Sequence, residues 1–377
     1  MTNTTPPHVV VLGAGYAGMT AANLIATRTD ASVTLINERD VFQERMRNHQ
    51  LAVGRRRADI PLQRLVRGRG ITLLIGRAVH IDLGTRQVDL AGRAEPIRYD
   101  ILVYALGSRA DVHEVPGVAE HAVAVATADQ AGRVPALLAR SGGEPVTVVG
   151  GGLTGIETVT EIAEAHPDRT VSLLTSTPPG SMLNERAQQH LFATFDRLGV
   201  RLVTNSRVAK VAQDGLLLDN GDQLPGRTVV WTAGFAVPPL AQQAGLAVDH
   251  RGRMLVDRSM RSLSHPEVYG IGDAAAARNE DDQLVRMGCG PGGLSAAAGA
   301  RSIANRLVGR SPAQLRYHDV AWHITLGRHD GIVQLGQADG RVITGRVAAR
   351  IKDRLVLPGA VWGTRHVIAA EAAARRY

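Results

Sequence analysis

The chain has 377 residues, 44% of them hydrophobic, 21% charged and 41 of them glycine. That length allows two or three domains with buried cores, and no run of 18 apolar residues is present to span a membrane. The formal charge of +8 comes mainly from arginines, as in Arg55-Arg56-Arg57 and in Arg64, Arg67 and Arg69. Aromatics are only 3%, too few for a base-stacking platform. Nucleic acid is therefore excluded as a partner, and the basic surface reads as solvated, with at most weak peripheral attraction to an anionic membrane. A single cysteine, Cys289, excludes an internal disulfide, a Cys-x-x-Cys redox pair and a zinc cluster. No metal site is expected. The polar stretch Met1–Pro7 has no signal-peptide character, so a cytoplasmic location is expected.

In chain order, His8–Leu12 reads as a buried strand that runs into Gly13-Ala14-Gly15-Tyr16-Ala17-Gly18 and then a helix over Met19–Thr27. A second strand, Ser32–Ile36, ends at Asn37-Glu38, where an adenosine ribose would be held by one of those two residues. From Ile71 to Val103 short apolar segments alternate with turns and predict antiparallel strands inserted into this first unit, 71–103. The buried run Asp100–Ser108 then ends in the small residues Ala105 and Gly107, which let a chain pass close to a bound cofactor.

The opening pattern recurs 137 residues on. Pro145–Val149 leads into Gly150-Gly151-Gly152-Leu153-Thr154-Gly155 and a helix over Ile156–Ala165. In both places the first glycine would make the strand-to-helix turn, the second would let a pyrophosphate reach the helix N–H groups, and the third would let helix pack on strand. Two such sites imply two dinucleotides, and two dinucleotides in one chain imply electron transfer.

The second unit's next strand, Thr170–Leu174, is followed by Thr175 rather than an acid, so nothing there repels a 2′-phosphate. Arg227–Gly234 repeats the strand with a small-residue end, Ala233-Gly234, and Arg253–Asp257 reads as a return strand. His265–Ala275 places Asp273 after a buried strand and Gly272, where a carboxylate can accept from sugar-alcohol hydroxyls.

Five ordered motifs together resemble the FAD- and NAD(P)-dependent pyridine nucleotide oxidoreductases, nearest their type II NADH:quinone oxidoreductase branch. They are the two glycine fingerprints, Tyr104–Ser108, Trp231–Gly234 and Tyr269–Asp273, and the resemblance covers roughly residues 8 to 310. It implies an α/β fold with two Rossmann-like dinucleotide-binding domains, the NAD(P) domain inserted in the FAD domain, plus a small α+β C-terminal region. The FAD domain would comprise 1–113 and 245–310, the NAD(P) domain 114–244, and the C-terminal region 311–377.

By the same resemblance Gly13, Gly15 and Gly18, with Tyr16 and Ala17, would hold FAD pyrophosphate, Asn37 or Glu38 its ribose, and Asp273 with Gly272 its ribityl chain. Gly150, Gly152, Leu153, Thr154 and Gly155 would hold NAD(P)H, with Thr175, Ala233 and Gly234 beside it and Glu157 near the nicotinamide. Glu157 and Cys289 are the two candidate catalytic residues. The stretch Arg39–Met46 lacks the cysteines that the family's thiol branches place there, which argues against a thiol relay and against sulfide oxidation.

Two departures stand against the quinone branch. Residues 290–300 lack its paired glutamines, and Ala360–Tyr377 reads as a dimer or surface helix rather than a membrane anchor. A helix starting near Leu294 would still aim its N-terminal dipole at the flavin. Arg47, His49 and Gln50 read as surface residues within reach of an acceptor. Asp319–Lys352, with His323, Arg328 and His329, reads as strands packed on the flavin domain. The implied function is hydride transfer from NAD(P)H to flavin N5 and electron delivery to a small organic acceptor, a quinone foremost. A metabolite-tailoring enzyme, a reductase of a small iron protein and a flavin-bound sensor remain as alternatives.

Overall fold

Two five-stranded parallel sheets organise the chain, each with a glycine loop at its central strand. The computed structural model describes residues 6–56, 58–318, 321–336 and 340–365. Arg57, Asp319, residues 1–5 and residues 366–377, which include Arg375 and Arg376, lie outside the described residues.

The first sheet runs Val268–Gly270, Ile101–Tyr104, His8–Leu12, Ser32–Asn37, Ile71–Ile75. His8–Leu12 lies at its centre because Val9, Val10, Val11 and Leu12 are covered on both faces, as a parallel strand under helices must be. Its two neighbours belong to connections leaving in opposite directions, so Gly13 sits at a topological switch point. The second sheet, Ala122–Ala124, Thr228–Trp231, Val146–Val149, Val171–Leu174, Val200–Val203, repeats this arrangement around Gly150. Arg109–Ala110 and Phe235–Ala236, where the chain enters and leaves this second unit, pair antiparallel with each other. The architecture is α/β, with two Rossmann-like units and a small α+β region at the C-terminal end.

Several elements differ from the sequence expectation. Ile71–Ile75 is no antiparallel insert; it is the parallel edge strand of the first sheet, with Val33 opposite Ile71. Only Ala78–Asp82, Gln87–Leu90 and Ile97–Arg98 form the antiparallel piece. Short apolar runs do not encode their partner's direction, so composition read both groups alike. The helices start earlier than expected, at Tyr16 and Leu153, because Gly15 and Gly152 take extended backbone as N-caps. The later helix starts at Cys289, not near Leu294. Its first turn tolerates Pro291, whose missing N–H has no helical acceptor to lose there. The return strand contracts to Met254–Leu255.

The C-terminal strands Ala321–Thr325, Gly331–Leu335 and Arg341–Thr344 form an antiparallel sheet. Trp322, Ile324, Leu326 and Ile332 bury against Ile156, Val159, Ile162, Leu191 and Phe195. They therefore pack on the second dinucleotide unit, not on the flavin unit as the sequence suggested. Gly345–Ile351 then continues through a π-turn, Lys352–Val356, into the helix Leu357–Arg365.

Candidate active site

The glycines of each loop divide by what surrounds them. Gly13 has φ +99, and a Cβ there would lie 2.4 Å from the Ala105 carbonyl oxygen; a Cβ at Gly18 would lie 1.8 Å from the Gly13 oxygen. Gly150 has φ +119 and would collide with Thr232 Oγ1 at 2.6 Å, and Gly155 with the Gly150 oxygen at 1.7 Å. These four are required by the protein itself. Gly15 and Gly152 differ, since a Cβ on either meets no protein atom within 4 Å. Both face open space at the N-terminus of a helix of 13 residues. Ala105 and Ala233, at the ends of the neighbouring strands, are the small residues against which Gly13 and Gly150 pack.

Asn37 makes two hydrogen bonds within the protein. Its Oδ1 accepts from the Ala14 N–H at 2.9 Å and its Nδ2 donates to the Arg39 oxygen at 2.8 Å, bracing the first loop. Glu38 next to it is exposed, with Arg39 at 3.9 Å. Thr175 is likewise committed: it is buried against Gly151, and its hydroxyl donates to the Thr177 oxygen at 2.7 Å. The Thr175 proton is thus not available to a 2′-phosphate. Gly107 and Gly234 hold positive φ angles of 65° and 70°, which only glycine adopts freely.

Asp273 follows Gly272 in a short 3₁₀ turn. Its Oδ2 accepts from the Ser108 hydroxyl at 2.6 Å and its Oδ1 from the Gly288 N–H at 2.8 Å. Arg45 stands 3.9 Å from the same carboxylate. Tyr16, in the first loop, stacks edge-on to Phe42 at 4.9 Å, and its buried hydroxyl has no hydrogen-bond partner among the described residues. Burial, with Cys289 and Glu44 nearby, raises the Tyr16 hydroxyl well above its usual range. Burial and the Asp273 charge push the Cys289 thiol up to about 12. That shift favours the protonated thiol over the thiolate that nucleophilic chemistry needs.

The most heavily interconnected group is one that no single segment displays. Glu157 is buried on the Leu153–Ala165 helix. Its Oε1 takes an ion pair from Lys352 Nζ and a hydrogen bond from the Thr325 N–H at 2.9 Å. Its Oε2 lies 3.4 Å from His49 Nδ1. The Thr325 hydroxyl, 3.0 Å from Oε1 and 3.1 Å from His49 Nε2, has one proton to share between them. Lys352 also donates to the His323 oxygen at 3.2 Å. Burial opposes ionisation of Glu157, yet the surrounding charges and donors, His49 and Lys352 foremost, hold its carboxyl below the usual range. Burial brings both His49 and His323 down to about 4, with Lys352 adding to it, so both are neutral at pH 7.

Arg47 and His49 are thus not surface residues. Arg47 is buried, with Glu44 at 2.9 Å, Gln50 at 3.2 Å and Asp353 at 2.7 Å. The two groups are linked through the Arg45–Arg47 turn: Arg45 faces Asp273, while Arg47 binds Asp353, the residue after Lys352. Arg328 and His329, by contrast, lie outside the cluster; the Arg328 N–H binds Glu164. Sequence reading missed Lys352, Thr325, Ser108 and Arg45.

Residues 7–287 match the family model described as pyridine nucleotide-disulphide oxidoreductase. The chain belongs to this family. An NADH dehydrogenase-like protein of Mycobacterium tuberculosis is 31% identical over 362 residues, covering 89% of this chain and 87% of its own. The type II NADH:quinone oxidoreductase Ndh of the same species is 28% identical, over 89% of this chain and 81% of its own. Among solved structures, NDH2 from Plasmodium falciparum in complex with NADH superposes with a TM-score of 0.79 at 15% identity, covering 96% of each chain. The protein is an FAD-containing NAD(P)H oxidoreductase. Among the described residues no helix is long and apolar enough to cross a membrane, and no group of three or more metal-binding side chains occurs.

Proposed function

We propose that this enzyme passes electrons from NAD(P)H through FAD to a quinone. The observation that carries the proposal is the buried Glu157–Lys352–His49–Thr325 cluster. A quinone takes up protons on reduction and needs a proton-handling group near its oxygens; a one-electron iron protein does not. The protonated Cys289 speaks against a thiol relay. Relatives named as NADH:quinone oxidoreductases add support.

In this reading bound FAD would supply the hydride-accepting chemistry, and the chain binds, orients and excludes water around it. The open space at Gly15, the partnerless Tyr16 hydroxyl and the remaining acceptor capacity of Asp273 fit such a group. Gly13, Gly15, Tyr16, Ala17 and Gly18 would cradle its pyrophosphate, and Gly272 and Asp273 its ribityl hydroxyls, with Ala105 and Gly107 passing close by. Glu38, whose carboxylate is less committed than the Asn37 amide, would take the adenosine ribose. Gly150, Gly152, Leu153, Thr154 and Gly155 would hold NAD(P)H, flanked by Thr175, Ala233 and Gly234. The FAD unit would span 1–113 and 245–310, the nucleotide unit 114–244 and the C-terminal region 311–377.

The C-terminal helices expose Val347, Leu355 and Trp362 and also Arg346, Arg350 and Arg354. Such residues suit peripheral contact with an anionic membrane, where quinones reside. The test is anaerobic stopped-flow bleaching of the flavin with NADH and NADPH in turn, followed by mixing with a soluble quinone. Rapid bleaching and rapid reoxidation are expected. Bleaching without reoxidation by quinone would overturn the acceptor assignment, and no bleaching with either nucleotide would overturn the donor half.

A further inference from the structure

Glu161 lies one turn beyond Glu157 on the same helix, and Glu164 about one turn beyond Glu161. Residues so spaced stand with Cβ atoms ~5–6 Å apart on one helix face. The Glu161 side chain is only 1% exposed, while that of Glu164 is 25% exposed. A single guanidinium, that of Arg55, serves both: its Nη1 donates to Glu161 Oε1 at 3.1 Å, and its Nη2 lies 3.1 Å from Glu161 Oε2 and 3.7 Å from Glu164 Oε2. Glu161 Oε2 nevertheless accepts no well-aligned hydrogen bond among the described residues. Glu164 also receives the Arg328 N–H. Three carboxylates thus follow one helix face from the partly exposed Glu164, through Glu161, enclosed and ion-paired to Arg55 through both oxygens, to the buried Glu157.

We infer that Glu161 is a proton-relay residue, carrying protons from Glu164 at the surface to the Glu157 cluster during reduction of the acceptor. The inference rests on the quinone reading above. Converting a quinone to its hydroquinone takes two electrons and two protons. A hydride from NAD(P)H brings both electrons and one proton, and the second proton comes from solvent. The relay moves that second proton by protonating Glu161 from Glu164 and passing it on towards Glu157, with no net change in any of the three groups after one turnover.

The groups facing Glu161 are Arg55, which favours its carboxylate, Glu164 and Glu157 on its own helix, which oppose it, and Arg328 from the loop after Ala321–Thr325, which favours it. Burial outweighs the arginines and raises the carboxyl to about 7, where it both takes and releases a proton at neutral pH.

The test uses the holoenzyme and its Glu161→Gln variant, which keeps shape and removes titration. Infrared pH titration of the oxidised enzyme should show a carboxyl C=O band with a midpoint near neutrality that is absent in Glu161→Gln. Turnover with a soluble quinone should fall on the order of 10–100-fold in the variant, while flavin bleaching by NAD(P)H and turnover with ferricyanide, which accepts electrons without protons, stay at the wild-type rate. Glu164→Gln should produce the same pattern more weakly and serves if Glu161→Gln fails to fold. The absence of a titrating band, an unchanged quinone rate, or equal losses with quinone and ferricyanide would each overturn the relay. A wild-type enzyme that reduces ferricyanide but no quinone overturns the acceptor reading instead, and the infrared titration then decides on Glu161 alone.

Discussion

The open space at Gly15 gives the sharpest test of the flavin site. Gly15 has φ −74 and ψ −172, an extended conformation that alanine adopts freely, and its Cβ would meet no protein atom within 4 Å. Gly15→Ala should therefore leave the fold intact, with stability changed by less than about 1 kcal/mol in either direction. The new methyl group would stand where a pyrophosphate approaches the helix N–H groups. Losing two charge-assisted hydrogen bonds at about 1.5–3 kcal/mol each amounts to about 3–6 kcal/mol. That corresponds to about 10²–10⁴ in the FAD dissociation constant. Gly18→Ala is the control with the opposite profile, because its Cβ falls 1.8 Å from the Gly13 oxygen, so helix and strand must separate. It should cost more than about 4 kcal/mol and yield little folded protein. Flavin content after gel filtration, FAD titration of the apoprotein by fluorescence quenching, and thermal unfolding of the apoprotein measure all three quantities. A Gly15→Ala protein that binds FAD with wild-type affinity would refute the cradle. A Gly18→Ala protein of wild-type stability would refute the packing argument.

The same logic applied to Gly152→Ala, also in open space, predicts weakened NAD(P)H binding with full FAD retention; loss of FAD instead would show that the second loop is misassigned. Lys352→Met leaves the buried Glu157 without its cation and should destabilise the apoprotein by about 3–5 kcal/mol, part of it recovered in the Glu157→Gln/Lys352→Met double variant. Wild-type unfolding of the single variant would sink that account. His49 has a folded pKa of about 4 against an ordinary 6.5, so the folded state resists its protonation. Its contribution is fully present above pH 6.5 and is lost as pH falls towards 4, by up to about 3 kcal/mol, with His323 acting in the same direction. Unfolding temperatures that stay flat from neutral pH down to the region of the His49 pKa would contradict the desolvation of the buried His49 and the half-buried His323. Cys289→Ala should leave flavin bleaching and quinone turnover within about twofold of wild type, since a small, partly buried thiol contributes mainly packing. A tenfold loss would return the thiol to the mechanism.

What the sequence disclosed follows from how far each residue's reason extends along the chain. The collision that forces glycine at position 18 is with Gly13, five residues away, so motif and cause lie in one short window. The same is true of Gly155 and Gly150. The direction of Ile71–Ile75 depends on Ser32–Asn37 across an intervening crossover, and the face chosen by Trp322 and Ile324 depends on a helix more than 150 residues earlier. Neither partner leaves a mark on the strand itself. Asn37 illustrates a middle case: its position was legible, but its bonds to the Ala14 N–H and the Arg39 oxygen were not.

The acid–base cluster was illegible for the same reason in a stronger form, since Glu157, His49, Thr325 and Lys352 come from four separate segments. One signal was nevertheless present. Of 43 Lys and Arg residues only two, Lys210 and Lys352, are lysine. A chain that otherwise uses arginine for nearly every cation departs from that habit at a position that is 3% exposed. Arginine's planar fork presents five donors in a fixed geometry and would oversupply a pocket that offers one carboxylate oxygen and the His323 carbonyl, whereas a compact ammonium with three donors matches it. The π-turn over Lys352–Val356 adds to this, since a single wide turn inside a helix commonly marks a site of function. A buried lysine in an arginine-using chain therefore carries the kind of information that a glycine fingerprint carries for a phosphate. It indicates that the size and donor count of the cation, beyond its charge, are under constraint at that point.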